Sequence, residues 1–229
     1  MLFGINVVYL LILVAVSLGL IFGMRALQKA VLAELSRTLY EDNDPDGYSR
    51  MLESRLILLV LRRGTVALMR LDGALFSGSP DAVNAACANL EGIKLKPEER
   101  LNWYQKALSS AVVHGDGNNA KLYLERIEAL LEREPDASLQ AVCAEARQLY
   151  GVYILRDVSL IGALEKESGS LSGARLGIVL YRLAKLHHFA GDDANSTSRL
   201  KAAIPCLNGS AWLDVAERAM DDLSVLEYE

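Results

Sequence analysis

Residues 172–206 read SGARLGIVLYRLAKLHHFAGDDANSTSRLKAAIPC, and this stretch decides the fold. Ahead of Gly191, Asp192 and Asp193, the residues Leu180, Leu183 and Ala184 recur at helical spacing; after them Leu200 and Ala203 do the same. Spacing of three and four puts apolar side chains on one helix face, and a Gly–Asp step between two such patterns marks the end of one helix and the start of the next. The stretch therefore predicts a helical hairpin, 172–190 followed by 193–206.

The same pattern extends toward the N-terminus. Short turns at Ser77, Gly78 and Ser79, at Gly115, Asp116 and Gly117, and at Arg156 and Asp157 separate apolar-periodic segments. They predict hairpins at 62–77/80–91, 97–114/118–133 and 138–156/158–168, with a spacing averaging a little under 40 residues. A last amphipathic helix, 210–226, is expected to cap the set. Four prolines, Pro45, Pro80, Pro97 and Pro135, are each followed at once by an acidic residue. Proline is tolerated in the first helical turn, where its missing N–H has no partner to lose, and a carboxylate there complements the helix dipole; all four read as helix starts. Strand-like alternation is missing, so the chain is all-α.

These hairpins resemble the tetratricopeptide repeat family, whose units are helix–turn–helix with a period near 34 residues. Leu180, Leu183, Ala184, Gly191, Asp192, Leu200 and Ala203 carry the resemblance in the fourth hairpin, and Gly115, Asp116, Ala120 and Leu124 in the second. The chain departs from the pattern where His187 takes a usual aromatic position and where the third unit has no turn glycine. The resemblance covers roughly residues 60–206. It implies an α-solenoid of stacked hairpins, because no hairpin buries its apolar face alone. It also implies a groove that recruits a protein or peptide, in a bacterial membrane or envelope complex. The first helix of each unit would line that groove, presenting Asn102, Gln105, Arg147, Gln148, Tyr181, Arg182, Lys185 and His188. Arg147, Arg182 and Lys185 would then be charge-assisted donors to an acidic or carboxylate-bearing peptide.

Before the hairpins lies a different kind of sequence. Residues 2–24 carry no charge and are almost wholly apolar, and Arg25 follows. At about 1.5 Å per residue such a helix crosses the ~30 Å hydrocarbon core of a bilayer. No Lys or Arg precedes the run and the run is long, which sets it apart from a cleaved signal peptide. Ala15, Gly19 and Gly23 recur every four residues on one face, a spacing that lets two membrane helices approach closely and would pair the anchor in a homodimer. Arg25, Lys29 and Arg37 follow the span, so the positive-inside rule puts the N-terminus outside and the larger domain in the cytoplasm. The organisation expected is an anchor at 1–24, a juxtamembrane helix and first packing helix at 25–61, and the repeat domain at 62–229. A single helix is expected from Pro45 to about Leu61; its residues Leu56, Ile57, Leu58, Leu59, Val60 and Leu61 form an apolar run too short for a second span, bracketed by Glu53, Arg55, Arg62 and Arg63, and it reads as a helix buried in the first layer.

Motifs for chemistry are few. With 24 basic and 29 acidic residues the net charge is -5, and no basic stripe suggests nucleic acid. Asp42, Asp44, Asp46, Gly47 and Glu53 match the spacing of a calcium loop of the EF-hand type. The same letters also describe a helix start, with Asp44 as cap and Pro45 as first residue, and the other Pro–acidic starts favour that reading. Adjacent helical positions point about 100° apart, so His187 and His188 do not share a metal ion, and one is expected to pack inside while the other faces the groove. Cys87, Cys143 and Cys206 lie far apart without a CxxC pair or a histidine at ligand spacing. Trp103 and Trp212 each begin a helix face and should pack, and Gly73 should admit a close helix contact. No phosphate-binding glycine loop, cofactor motif or catalytic set is present. The expected function is a membrane-tethered, non-enzymatic adaptor. A calcium-responsive membrane protein and an extracytoplasmic secretion chaperone are the alternatives.

Overall fold

The computed structural model describes residues 7–133 and 136–228, with side chains from residue 13 onward. Residues 2–6 of the apolar run, and Glu134 and Pro135, lie outside the described residues. Every regular element among the described residues is helical. The chain divides into two compact units, the first ending at Trp103 and the second beginning at Tyr104.

The first unit is organised by α1 (Val7–Tyr40), a helix of 34 residues. Its part from Leu13 onward is long and apolar enough to cross a membrane, and that window is only 6% buried within the protein. Past Arg25 the helix continues without a break, and its far end turns inward: Leu35 and Leu39 are 0% and 1% exposed. They pack with Tyr48 and Leu52 of α2 (Pro45–Leu52), Ile57 and Val60 of α3 (Arg55–Val60), and Val66 of α4 (Arg63–Phe76). Burial of each such side chain stabilises the unit by about 1.5–3 kcal/mol. The apolar part of α1 thus runs without a break into the part that packs in the first core. The expected proximity at Gly73 is present, for a Cβ added there would lie 3.1 Å from the Tyr48 ring, whose hydroxyl donates to the Met69 carbonyl at 2.9 Å. Burial, with Asp72 adding to it, holds the Tyr48 phenol well above its usual titration range. α5 (Pro80–Glu91) packs antiparallel on α4 as the first predicted hairpin.

Two expectations change in this unit. The single helix read from Pro45 to about Leu61 is two, because Glu53 closes α2 and Ser54, extended at ψ 134°, opens α3. The apolar run is only half interior: Ile57, Val60 and Leu61 are buried, while Leu56, Leu58 and Leu59 are 54%, 49% and 82% exposed. A six-residue helix has one buried face, and consecutive leucines cannot all share it.

The second unit takes in the end of α6 (Pro97–Val113), then α7 (Gly117–Arg133), α8 (Ala137–Leu149), a π-helical turn (Tyr150–Leu155), α9 (Ile161–Ser168), α10 (Gly173–Phe189), α11 (Asp193–Cys206), α12 (Trp212–Asp221) and α13 (Val225–Tyr228). The predicted 210–226 helix is broken at Asp222, which is extended. α10 is the axis of this unit. From Val179 to His187 every one of its residues is buried, and α9, α11, α13 and the π turn all pack on it. It comes close to the chain after α11 at Gly177, where an added Cβ would meet Leu207 at 2.7 Å.

The turns share one construction. Gly115 and Gly191 adopt φ +67° and +75°, and the aspartate that follows each donates its N–H back to Ala111 or His187, closing the preceding helix. The same aspartate then caps the next helix: Asp116 Oδ1 accepts from Asn119 N at 3.0 Å, and Asp192 Oδ1 from Asn195 N at 3.1 Å. In the third turn, which has no glycine, Arg156 adopts φ 53° and Asp157 N donates to Gly151 O at 2.9 Å. The π turn supplies the extra residue. Hairpins are therefore present, but tetratricopeptide-like repetition is not. α9 is only eight residues long and packs on α10, while α8 packs on α7 and the π turn.

Candidate functional site

α8 presents Ala141 and Ala144 on one of its faces, side chains too short to fill the space before α10. A cleft of about 510 Å³ results, walled by Val142, Glu145 and Gln148 of α8, Glu167 at the end of α9, Leu171, and Arg175, Ile178, Val179 and Arg182 of α10; Gln105 of α6 lies at its edge. That volume falls within the usual range for ligand clefts, roughly 300–1,000 Å³. Ile178, Val179, Leu171 and Val142 form an apolar lining, and polar groups stand around it.

A hydrogen-bonded chain crosses the cleft. Arg182 Nη2 donates to Glu145 Oε1 at 2.5 Å, Arg182 Nη1 to Gln148 Oε1 at 3.1 Å, and Gln148 Nε2 to Glu167 Oε2 at 2.6 Å. The Arg182 side chain is 5% exposed and its Glu145 partner 51%. Burial alone would lower the guanidinium pKa, but the bond and charge of Glu145, with Tyr153 beside it, hold it above its ordinary value. Burial pushes the Tyr153 phenol up, and Arg182 opposes that shift. Arg182 is a permanent, buried cation whose charge is balanced inside the protein. Arg175, one turn before Ile178 and two before Arg182, is different: it is exposed and makes no ion pair among the described residues.

Of the eight residues expected along a groove, Gln105, Gln148 and Arg182 line this cleft. Asn102 lies in the first unit and is exposed. Arg147 is exposed and held by Glu128 at 2.7 Å, a pair worth roughly 0–1 kcal/mol. Tyr181 is fully buried with its ring 5.5 Å from that of Trp212. Lys185 is 2% exposed; its ammonium donates to the Leu226 carbonyl and lies 5.2 Å and 5.3 Å from the Tyr153 and Phe189 ring centres. The expectation that Arg147, Arg182 and Lys185 present free donors is corrected: each is engaged within the chain. For Arg182 and Lys185 the reason is that α10 is wrapped on several sides, so its polar positions face neighbours instead of an open concave surface; Arg147 stands on α8 and is held by Glu128 of α7. His187 is buried, with Nδ1 3.7 Å from Asp192 Oδ2. His188 Nδ1 lies 2.8 Å from Asp193 Oδ1 and its Nε2 3.8 Å from Glu227 Oε1, away from the cleft. Glu145, Glu167 and Arg175 were not singled out from sequence. The seven-residue step from Arg175 to Arg182, which keeps both on one helix face, is the signal that could have found Arg175; Glu145 and Glu167 lie on other helices and have no such signal.

The residues of the calcium alternative form a helix start. A calcium loop must stay non-helical through its central positions to wrap ligands around one ion. Here α2 already starts at Pro45, and Asp44 Oδ1 accepts from Gly47 N at 2.7 Å as a helix cap. Among the described residues no three His, Cys, Asp or Glu side chains are grouped to hold a metal. Cys87, Cys143 and Cys206 are free thiols, the first two buried, and burial pushes the Cys143 thiol up, away from reactivity.

Comparison of the chain with known protein families, characterised proteins and solved structures finds no match.

Proposed function

We propose that this protein is a membrane-tethered, non-enzymatic adaptor in which α1 is the anchor and the α8–α10 cleft receives a segment of a partner protein. The observation that carries it is the cleft itself: an apolar lining with Arg175, exposed and in no ion pair among the described residues, beside it. That combination suits a short peptide bearing an apolar anchor residue and a carboxylate, and Arg175 is the charge-assisted donor. The Lys/Arg asymmetry around α1 supports a cytoplasmic cleft. Ala15, Gly19 and Gly23 are exposed at a spacing of four on α1, a pattern that supports pairing of two anchors.

The test is recovery of partners by full-length protein from its own membranes, comparing wild type with Arg175→Glu combined with Ile178→Asp. Both residues face the cleft and neither is in the fully buried core, so the fold should persist by circular dichroism. The main partner should fall at least tenfold in yield. An unchanged yield from a folded variant contradicts the assignment.

A further inference from the structure

Gln28 stands four residues beyond Met24, about 6 Å further along α1. Its side-chain amide donates to the Val60 carbonyl at 2.9 Å, which holds the end of α3 level with it. The polar headgroup layer on each side of a bilayer is roughly 5–8 Å deep. Given the reading that α1 crosses the membrane, on which this inference rests, α3 is held at the depth of the headgroups.

The composition of α3 fits that place. Leu56, Leu58 and Leu59 project from the protein at 54%, 49% and 82% exposure, Leu58 also lining a shallow pocket beside Val66 and Ala86. Around them stand Arg55 and Arg63, and on α1 at the same level Arg25 and Lys29; none of the four makes an ion pair among the described residues. Arg62 is engaged, 3.4 Å from Glu99. Exposed leucines set among unpaired cations are what a helix lying in a membrane interface presents, the apolar side chains entering the acyl boundary and the cations meeting anionic headgroups. We infer that α3 is a membrane foot: it rests on the anionic surface of the bilayer that α1 crosses, and so fixes the tilt and rotation of the first unit against the membrane.

The test uses the full chain in vesicles of 30% anionic lipid, with Cys87→Ala, Cys143→Ala and Cys206→Ser as background. Single nitroxide labels are attached at Leu59→Cys, at Val16→Cys within the span, and at Glu41→Cys, about 25 Å beyond Met24 along α1. Collision with dissolved oxygen against a water-soluble nickel chelate reports depth. The Leu59 label should show an oxygen-to-nickel ratio several-fold above that at Glu41, falling at least twofold when neutral lipid replaces the anionic component. A Leu59 ratio equal to that at Glu41, with the Val16 label in lipid, overturns the inference alone. A ratio insensitive to lipid charge overturns it as well, and a Val16 label in water overturns both the inference and the membrane span.

Discussion

Arg182→Ala and Arg182→Met together test whether the cleft is built as described. The alanine change removes a 5%-exposed guanidinium together with its bonds to Glu145 and Gln148. It strands the Gln148 carbonyl oxygen and empties the volume of the aliphatic stem. Breaking a fully buried ion pair costs about 3–5 kcal/mol, but Glu145 is half exposed and regains water, so the expected loss is about 2–3 kcal/mol. Methionine fills most of the same space without a charge, and a buried pair replaced by packed apolar volume is close to neutral; its loss should stay under about 1 kcal/mol. For a chain of 229 residues each kcal/mol moves the melting temperature by roughly 2–4 °C. Thermal unfolding of the full-length protein in detergent, followed by circular dichroism, should therefore drop by roughly 4–12 °C for alanine and by less than about 4 °C for methionine. Equal losses in the two variants would refute the reasoning, since the charge itself would then be required. Two wild-type melting curves would refute it differently, by showing that Arg182 is not buried.

Three further outcomes follow from particular contacts. Gly177→Ala puts a Cβ 2.7 Å from Leu207 and should cost about 1–3 kcal/mol, whereas Gly162→Ala enters open space within α9 and should raise stability by up to about 1 kcal/mol; chemical denaturation of both variants checks the pair. The Asp192 carboxyl is held below its usual value chiefly by the Asn195 side chain, then by the Asn195 backbone N–H. Its contribution is thus present above the ordinary carboxylate range and lost as the pH falls through it, so Asp192→Ala should flatten the acid limb of a melting-temperature profile between pH 7 and pH 3, roughly the range spanning that titration. Millimolar calcium should leave the melting temperature unchanged, since a site filled at 100 times its Kd would add about 2.7 kcal/mol.

Much of the helical order was legible because it is local. Pro45, Pro80 and Pro97 are the observed first residues of α2, α5 and α6, and Asp44 and Ser79 cap as their side chains require. The Gly–Asp turns were equally readable, since a positive φ favours glycine and the next aspartate is the cap. Arg156 was not readable, because a non-glycine residue at φ 53° is tolerated only where the surrounding contacts over-determine it. Its guanidinium sits 4.5 Å from the Phe189 ring centre and donates to the Glu227 carbonyl, contacts made by residues distant in sequence. The cleft was half legible for the same reason. Gln105, Gln148 and Arg182 were found by helical register, but register alone does not show that α13 covers Lys185, that Trp212 covers Tyr181, or that Ala141 and Ala144 leave a gap.

The central claim is that the α8–α10 cleft is where a partner docks, and a photocrosslinking amino acid placed in it tests this most directly. Ala144→p-benzoylphenylalanine lies on the cleft wall, and Leu122→p-benzoylphenylalanine, 39% exposed on α7, is the control. In intact cells the Ala144 position should give a discrete adduct that Leu122 does not, and Arg175→Glu should abolish it. The same adducts from both positions, or an Ala144 adduct indifferent to Arg175→Glu, would contradict the account.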